Sequence, residues 1–348
     1  MRQNVTIRDV AQRAGVSAAT ASRVLSGNPS TSASARAKVR QAARELQFHV
    51  NARAKSLRRQ QTDTIGLLLP DIRNPFFAEI AQAAEQAALA AGMTTLLCNA
   101  NESTAQQDLY LKLLVAQRVD GIIAAPQGDG SGKLDETIAL GLPLVFVDRV
   151  IEGVDVPSVT SDNWSGVRQA VRHLVGLGHR RIGFVTGSQE TSTGRERLQA
   201  YREALVRAGI RPDKTLIRYG NFQTESGLVA ARSLLDLSQP PTAVIAADSL
   251  MTLGVVQACN ELGLVIGETL SVIGYDDTET TRALSPGLTV ISHDPAAMGT
   301  QAFAMLRDVL GGRRVPSVVL PVSLVIRNST GPVPLVSASA TSESGAHR

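Results

Sequence analysis

From residue 64 onward the sequence alternates short apolar runs with amphipathic segments, and it does so twice. Runs at 65–69, 95–98, 121–125 and 143–147 are separated by expected helices at 77–91, 104–117 and near 134–140. Gly92 ends the first of these helices, and Ser103 with Gln106 makes a capping box for the second. After about residue 160 the pattern restarts, with strands expected at 181–186, 215–219, 243–247 and 271–275 and helices at 194–208, 225–235 and 250–262. Strands joined by crossover helices pair in parallel, so the pattern predicts two α/β lobes, each a parallel sheet with helices on both faces. Late strands at 288–292 and 318–326 carry the chain back between lobes. The expected N-lobe is 62–161 plus 293–320, and the C-lobe 162–292 plus 321–330. The tail, 331–348, is rich in Ser, Ala and Pro and is expected to be disordered.

Charge separates what precedes this body from the body itself. The net charge of +4 hides an uneven split. Residues 1–61 hold twelve Lys/Arg against Asp9 and Glu45, which leaves 23 basic against 29 acidic residues for the rest. A strongly basic head on a mildly acidic body points to a polyanionic partner for the head. No apolar run is long enough to span a bilayer, and the N-terminus has no apolar core of a secretory signal. With only Cys98 and Cys259, far apart, a disulfide framework is not expected and a reduced, cytoplasmic setting is.

The head carries helix signals. Thr6 and Asp9 sit in capping-box spacing, Ile7, Val10, Ala11 and Ala14 share one face, and Gly15 stops the helix. Ser17 is an N-cap for a second helix, 18–25. Gly27-Asn28-Pro29 breaks the chain, and Ser32 or Ser34 opens a third helix toward Leu46. Two short helices about a glycine turn, then a third, read as a small all-α helix-turn-helix domain over 1–50. The second helix offers small and hydroxyl side chains plus Arg23, suited to base edges in a major groove. Residues 51–61 form a basic connector with one large apolar side chain, Leu57. A helix that short is marginal in water and can fold against phosphates.

In parallel sheets, ligands sit beyond the carboxyl ends of strands. The residues there are Asp71, Asn74, Phe76, Phe77, Asp148, Arg149, Ser188, Thr193, Arg197, Phe222, Asp248, Asp276 and Asp277. Carboxylates, arginines and aromatic faces from both lobes suit a polyhydroxylated ligand such as a sugar. Arg149 can favour an acidic sugar or pair with a carboxylate across the cleft. Catalytic motifs are missing. Residues 127–134 have Gln127 and Leu134 where a P-loop needs Gly and Ser/Thr, so they read as a flexible loop. The five histidines show no metal spacing, and His179 reads as structural. No cofactor or metal is expected, and no enzyme activity.

Thr6-Ile7-Arg8-Asp9-Val10-Ala11, Gly15-Val16-Ser17 and Thr20-Ala21-Ser22-Arg23-Val24-Leu25 resemble the head of LacI/GalR-family transcriptional repressors. The resemblance extends to about Thr330 through Asn74-Pro75-Phe76-Phe77, Gln117-Arg118-Val119-Asp120-Gly121, residues 176–183, Ile273-Gly274-Tyr275-Asp276 and Leu288-Thr289-Val290. It implies a homodimer on a pseudo-palindromic operator, allosterically controlled by a small-molecule effector between two lobes like those of periplasmic sugar-binding proteins. It places Ala18, Ala19 and Arg23 on the recognition helix and makes Leu57 the hinge leucine that wedges into a minor-groove step, flanked by Ala54 and Arg58. Thr6, Ser17, Thr20, Ser22, Asn28 and Asn51 complete the candidate DNA contacts. Phe76, Phe77, Asp148, Thr193, Arg197, Phe222, Asp248 and Asp276 match effector positions, with Asn74 and Arg149 beside them.

The sequence departs from the family at several points. Ala18 and Ala19 offer only methyl contacts. Gln47 stands where glycine usually caps helix 3, at a cost on the order of 1 kcal/mol. Val50 replaces a common proline, and the tail lacks leucine heptads for a coiled-coil tetramer. The reading is a sequence-specific DNA-binding regulator, a repressor, answering to a sugar-like effector. Its rivals are a sugar-binding protein without a DNA role and a two-lobed sugar enzyme.

Overall fold

The computed structural model describes residues 5–26, 28, 30–48, 61–128, 130 and 132–333, which fall in two compact units, Met1–Asp63 and Thr64–Arg348. The first unit is a helical head. Helix α1, Ile7–Ala14, begins with a full capping box: Asp9 accepts from the Thr6 amide at 2.7 Å, and Thr6 accepts from the Asp9 amide. Gly15 ends it at φ +65°, a left-handed conformation that only glycine adopts without strain. Ser17 caps α2, Ala18–Leu25, and Ser32 caps α3, Ala33–Glu45. The core behind them is small: Val10, Ala11, Ala14, Ala21, Val24, Val39 and Ala42. Arg13 ties α1 to Glu45 of α3 at 2.8 Å. After α3 the left-handed position is retained without a glycine: Gln47 has φ 50°, and the Phe48 amide closes the turn on the Ala43 carbonyl at 2.8 Å. The expected hinge residues 51–60, with Asn51, Ala54, Leu57 and Arg58, lie outside the described residues, as do Val50 and 334–348 of the tail.

The second unit opens with β1 (Thr64–Leu69), α4 (Pro75–Ala90), β2 (Thr94–Asn99), α5 (Thr104–Gln117), β3 (Gly121–Ala124), α6 (Gly132–Ala139), β4 (Leu144–Val147) and β5 (Ser158–Ser161). It continues with α7 (Asn163–Gly176), β6 (Ile182–Thr186), α8 (Ser192–Arg207), β7 (Ile217–Tyr219), α9 (Thr224–Leu235), β8 (Ala243–Ala246), α10 (Ser249–Glu261), β9 (Ser271–Tyr275), α11 (Glu279–Ala283) and β10 (Thr289–Ser292). The chain closes with α12 (Pro295–Leu310), β11 (Val318–Leu320) and β12 (Ser323–Val325). Two six-stranded sheets result, ordered β11-β5-β4-β3-β1-β2 and β12-β10-β9-β8-β6-β7. Every pairing is parallel except that of β10 with β12. Strands β3, β4, β6, β8 and β9 are buried along their full length, as continuous apolar runs with helices on both faces should be.

The expected single strand at 318–326 is two strands in different sheets. Pro321, which cannot donate to a ladder, stands at the break. The chain therefore passes between lobes three times, at 161–163, 292–295 and 320–323. Helix α12 packs back on α4, where a Cβ at Gly299 would meet the Ile80 carbonyl oxygen. His179 is fully buried, with bonds to Thr242, Ser271 and the Gly331 carbonyl, a structural role. Cys98 and Cys259 are free and buried, and burial pushes both thiols up to about 11.

Candidate ligand cleft and nucleic-acid face

On α2, Ala21 and Val24 turn into the head core. That leaves Ser17, Ala18, Ala19 and Arg23 exposed, with Thr20 and Ser22 half-buried. Arg23 lies along its own helix, donating to the Ala19 carbonyl at 3.4 Å, and among the described residues no carboxylate pairs with it. The two alanines make a smooth patch that can approach base edges closely, with methyl groups the chemical match for thymine. Thr6 and Asn28 are also exposed, but their side chains are engaged locally: Thr6 in the cap of α1, and Asn28 in accepting from the Ser30 amide and hydroxyl at 2.9 and 2.7 Å.

In the body, all ten candidate effector residues lie at the carboxyl ends of strands or the helix starts that follow, and all ten are buried. Three of them, Asp148, Phe222 and Asp276, have φ of 62–63°, and Asn101 and Glu102 at the mouth have 51° and 54°. Left-handed backbone at non-glycine residues is strained, and here it gathers at one cleft. A Cβ at Gly187 would lie 2.0 Å from the Phe222 ring, so a side chain there would displace that ring.

The candidates divide by what they already hold. Asn74 caps α4, its Oδ1 accepting from the Phe76 amide at 3.0 Å, while its Nδ2 crosses to the other lobe and donates to Asp248 at 3.0 Å. Asp248 also caps α10 through the Met251 amide, so both of its oxygens are engaged. Arg149 forks onto Glu102 with two bonds of 2.7 Å, donates to Gln127 at 2.9 Å, and lies over the rings of Phe222 and Phe77. The carboxylate it pairs with thus belongs to its own lobe and not to the one across the cleft. Gln127 is correspondingly buried and fixed, unlike the flexible loop expected there. Arg197 donates to Asn163 and to the Ala247 carbonyl, and lies 4.1 Å over the Tyr275 ring. Asp148 stands 4.0 Å from Arg197 and 3.8 Å from Arg149, with no hydrogen bond to its Oδ1. The Thr193 hydroxyl lies 3.4 Å from that of Thr191. Asp277 faces away, paired with Arg282 and Arg327.

Burial dominates the electrostatics. It raises Asp148 against the pull of Arg197 and Arg149, pushes Asp248 up to about 6 and Asp276 up to about 7, and takes His293 down to about 3. The lobes are also clasped at the rim. Gln223 accepts from Arg73 at 2.7 Å and donates to Asp71 at 3.0 Å, and the Val150 amide donates to Ser192. A polar cavity of about 400 Å³ opens at this rim, floored by Phe222. Residue patterns did not single out Glu102, Gln127, Asn163, Gln223, Ser249, Tyr275 or His293. Gln223 alone left a trace, standing at an N-cap position where Gln is a poor cap.

Residues 6–51 match the model of bacterial regulatory proteins of the lacI family, and residues 171–330 that of a periplasmic-binding-protein-like domain. The HTH-type transcriptional repressor PurR of Edwardsiella ictaluri is 34% identical over 335 residues, covering 95% of this chain and 98% of its own. The chain belongs to the LacI family. This LacI-family chain is a DNA-binding transcriptional regulator and not an enzyme. The CytR repressor of Escherichia coli K12 is 33% identical over 332 residues, covering 94% of this chain and 97% of its own. A crystal structure of the Lac repressor dimer bound to operator and the anti-inducer ONPF superposes with a TM-score of 0.84 at 32% identity, covering 94% of this chain and 100% of that one.

Proposed function

We propose that the cleft binds a small, neutral, hydroxyl-rich effector, a sugar or sugar derivative, and that its occupancy sets the affinity of a homodimer for a pseudo-palindromic duplex operator. One observation carries the choice of ligand. Asp148 and Asp276 each present a buried oxygen without a hydrogen-bond partner, while Arg149 and Arg197 give guanidinium hydrogens to protein acceptors and Arg149 keeps its Nε–H unpaired beside Asp148, 3.8 Å away. Such a site asks for hydroxyl donors, and it would repel a ligand carboxylate that had no cation to meet it. Phe76, Phe77 and Phe222 supply ring faces. A structural relative at 33% identity, the regulator CelR, is a complex with cellobiose, which supports the same class.

On the head, Thr6, Ser17, Ala18, Ala19, Thr20, Ser22, Arg23 and Asn28 are our DNA contacts, with Asn51, Ala54, Leu57 and Arg58 of the hinge. The Lac repressor neighbour is a dimer on its operator, and PurR and CytR are repressors, so we assign this chain the same assembly and the same sign. Working on the chromosome, it belongs in the cytoplasm; among the described residues no helix is long and apolar enough to cross a membrane. Thermal unfolding of the full chain with sugars, sugar acids and nucleobases, repeated with operator duplex, tests the proposal. A neutral sugar should raise the midpoint and change operator affinity. Stabilisation by sugar acids alone, or by nucleobases alone, would overturn the ligand class.

A further inference from the structure

We propose that the two lobes are joined by a proton-operated latch, in which the Asp276 carboxyl, acting through Ser249, holds Asn74 of the opposite lobe only while it carries a hydrogen. The latch needs no effector and stands apart from the choice of ligand. Asn74 caps α4 in the first lobe, whereas Ser249 opens α10 and Asp276 follows β9 in the second. All three are buried. Asn74 is fixed in orientation, because its Oδ1 accepts from the Phe76 amide at 3.0 Å and its Nδ2 donates to Asp248 at 3.0 Å. The Ser249 hydroxyl therefore stands between two acceptors, Asn74 Oδ1 at 2.9 Å and Asp276 Oδ2 at 2.6 Å.

A hydroxyl carries one hydrogen, so two bonds require a second, and of the three groups only the Asp276 carboxyl can bring it. The chain then runs from Asp276 Oδ2–H to Ser249 Oγ–H to Asn74 Oδ1, from one lobe to the other. An ionised Asp276 draws the Ser249 hydrogen to itself, since a charged acceptor outbids a neutral one. Ser249 Oγ and Asn74 Oδ1 are then two lone pairs 2.9 Å apart, and the lobes lose a bond. Burial raises Asp276 to about 7, opposed by the Ser249 bond and by Arg197 of α8, and reinforced by Asp248 and Asp148. His293, 3.3 Å away at the end of β10, is taken down to about 3 by its own burial and stays neutral. Glu79 of α4, Arg282 of α11 and Asp294 before α12 border the small cavity that Asp276 also lines, and the adjoining Asp277 is paired with Arg282 and Arg327. The other links between lobes need no such proton: Gln223 with Arg73 and Asp71, the Val150 amide with Ser192, and Asn74 Nδ2 with Asp248, which accepts in either state. Closure and protonation of Asp276 are therefore one linked equilibrium, with low pH favouring the closed form.

The test follows lobe closure in the full-length protein with no ligand present. Cys98 and Cys259 are buried, so spin labels go selectively to D135C and E190C, exposed sites on the two lobes, with labelled chains diluted by unlabelled ones. The distance between them is read by electron–electron double resonance at pH 6 and pH 8.5. With the latch residues intact, the closed-to-open ratio should fall about tenfold between the two, the change that loss of one proton at about 7 brings. D276N offers Ser249 an amide hydrogen at every pH and should stay closed at both. S249A has no relay and should give the same mixture at both. If the distances with the latch intact do not move with pH, or if D276N opens as the intact latch does, the proposal is overturned. Neither result touches the effector reading, since no effector is present, and failure of every sugar to bind leaves the latch standing.

Discussion

On the head, Ser17, Ala18, Ala19 and Arg23 stand in solvent while Ala21 and Val24 hold their helix from behind. In the cleft, the ten candidate residues are buried and several are held by protein partners: Arg149 by Glu102, Arg197 near Asp148, Asn74 by Asp248. The difference follows from the partner. Duplex DNA is a polyanion that meets exposed cations, and an unpaired Arg in water costs little while it waits. A cleft that closes on a small molecule takes its charges out of water, so they must find partners inside the protein.

The largest expected effect probes the buried side of that contrast. Arg197→Ala removes a guanidinium shared by Asp148, Asn163 and the Ala247 carbonyl, and should lower stability by about 3–5 kcal/mol in urea unfolding. A loss under about 1 kcal/mol would show the cleft to be as hydrated as the head. Next is pH. Folded Asp276 keeps its proton up to about 7, whereas the unfolded carboxyl loses it near the ordinary value of 3.8. Between those values the folded chain binds more protons, so Asp276 lowers stability as pH rises. His293 acts in the opposite sense between about 3 and 6.5, so the readout is wild type compared with D276N. Wild type should lose ground to D276N from pH 4 to pH 7 by thermal unfolding, and parallel curves would show a solvated Asp276. On the exposed side, Arg23→Ala should leave the melting curve unmoved and weaken specific operator binding by about 10–100-fold in gel shifts. A stability change would mean that Arg23 is structural. The smallest effect is at Gln47, where φ 50° suits glycine. Gln47→Gly should slow amide exchange at the end of α3 by the equivalent of about 1 kcal/mol.

The sequence makes the βα rhythm plain, because strands buried on both faces must be continuous apolar runs. Helix α5 shows at its start, where Ser103 caps it, but not at its end, where Arg118 stops it in a left-handed conformation that its residue type does not announce. Strand β5 and helix α12 are harder to see, as Ser158–Ser161 is short with three hydroxyl residues of four, and α12 follows a strand of the other lobe. The cleft divides in the same way. Positions just after strand ends are readable from the fold rule, which found Asp148, Asp248 and Asp276. Which of them stay free is not readable. That depends on Glu102, Gln127 and Ser249 arriving from other elements, and no local pattern announces a partner 47 residues away from Arg149.

The triple passage of the chain between lobes also sets an order of assembly on the ribosome. The first lobe has its strands through β5 by Ser161, but α12, which covers α4, is complete only at Leu310. At 5–20 residues per second the intervening stretch takes roughly 7–30 s to synthesise. For that interval the apolar face of α4 and the open edge of β5 stand uncovered while the second lobe takes shape beside them. A nascent chain of this protein therefore has a timed exposure, set by topology alone, in which a chaperone can act.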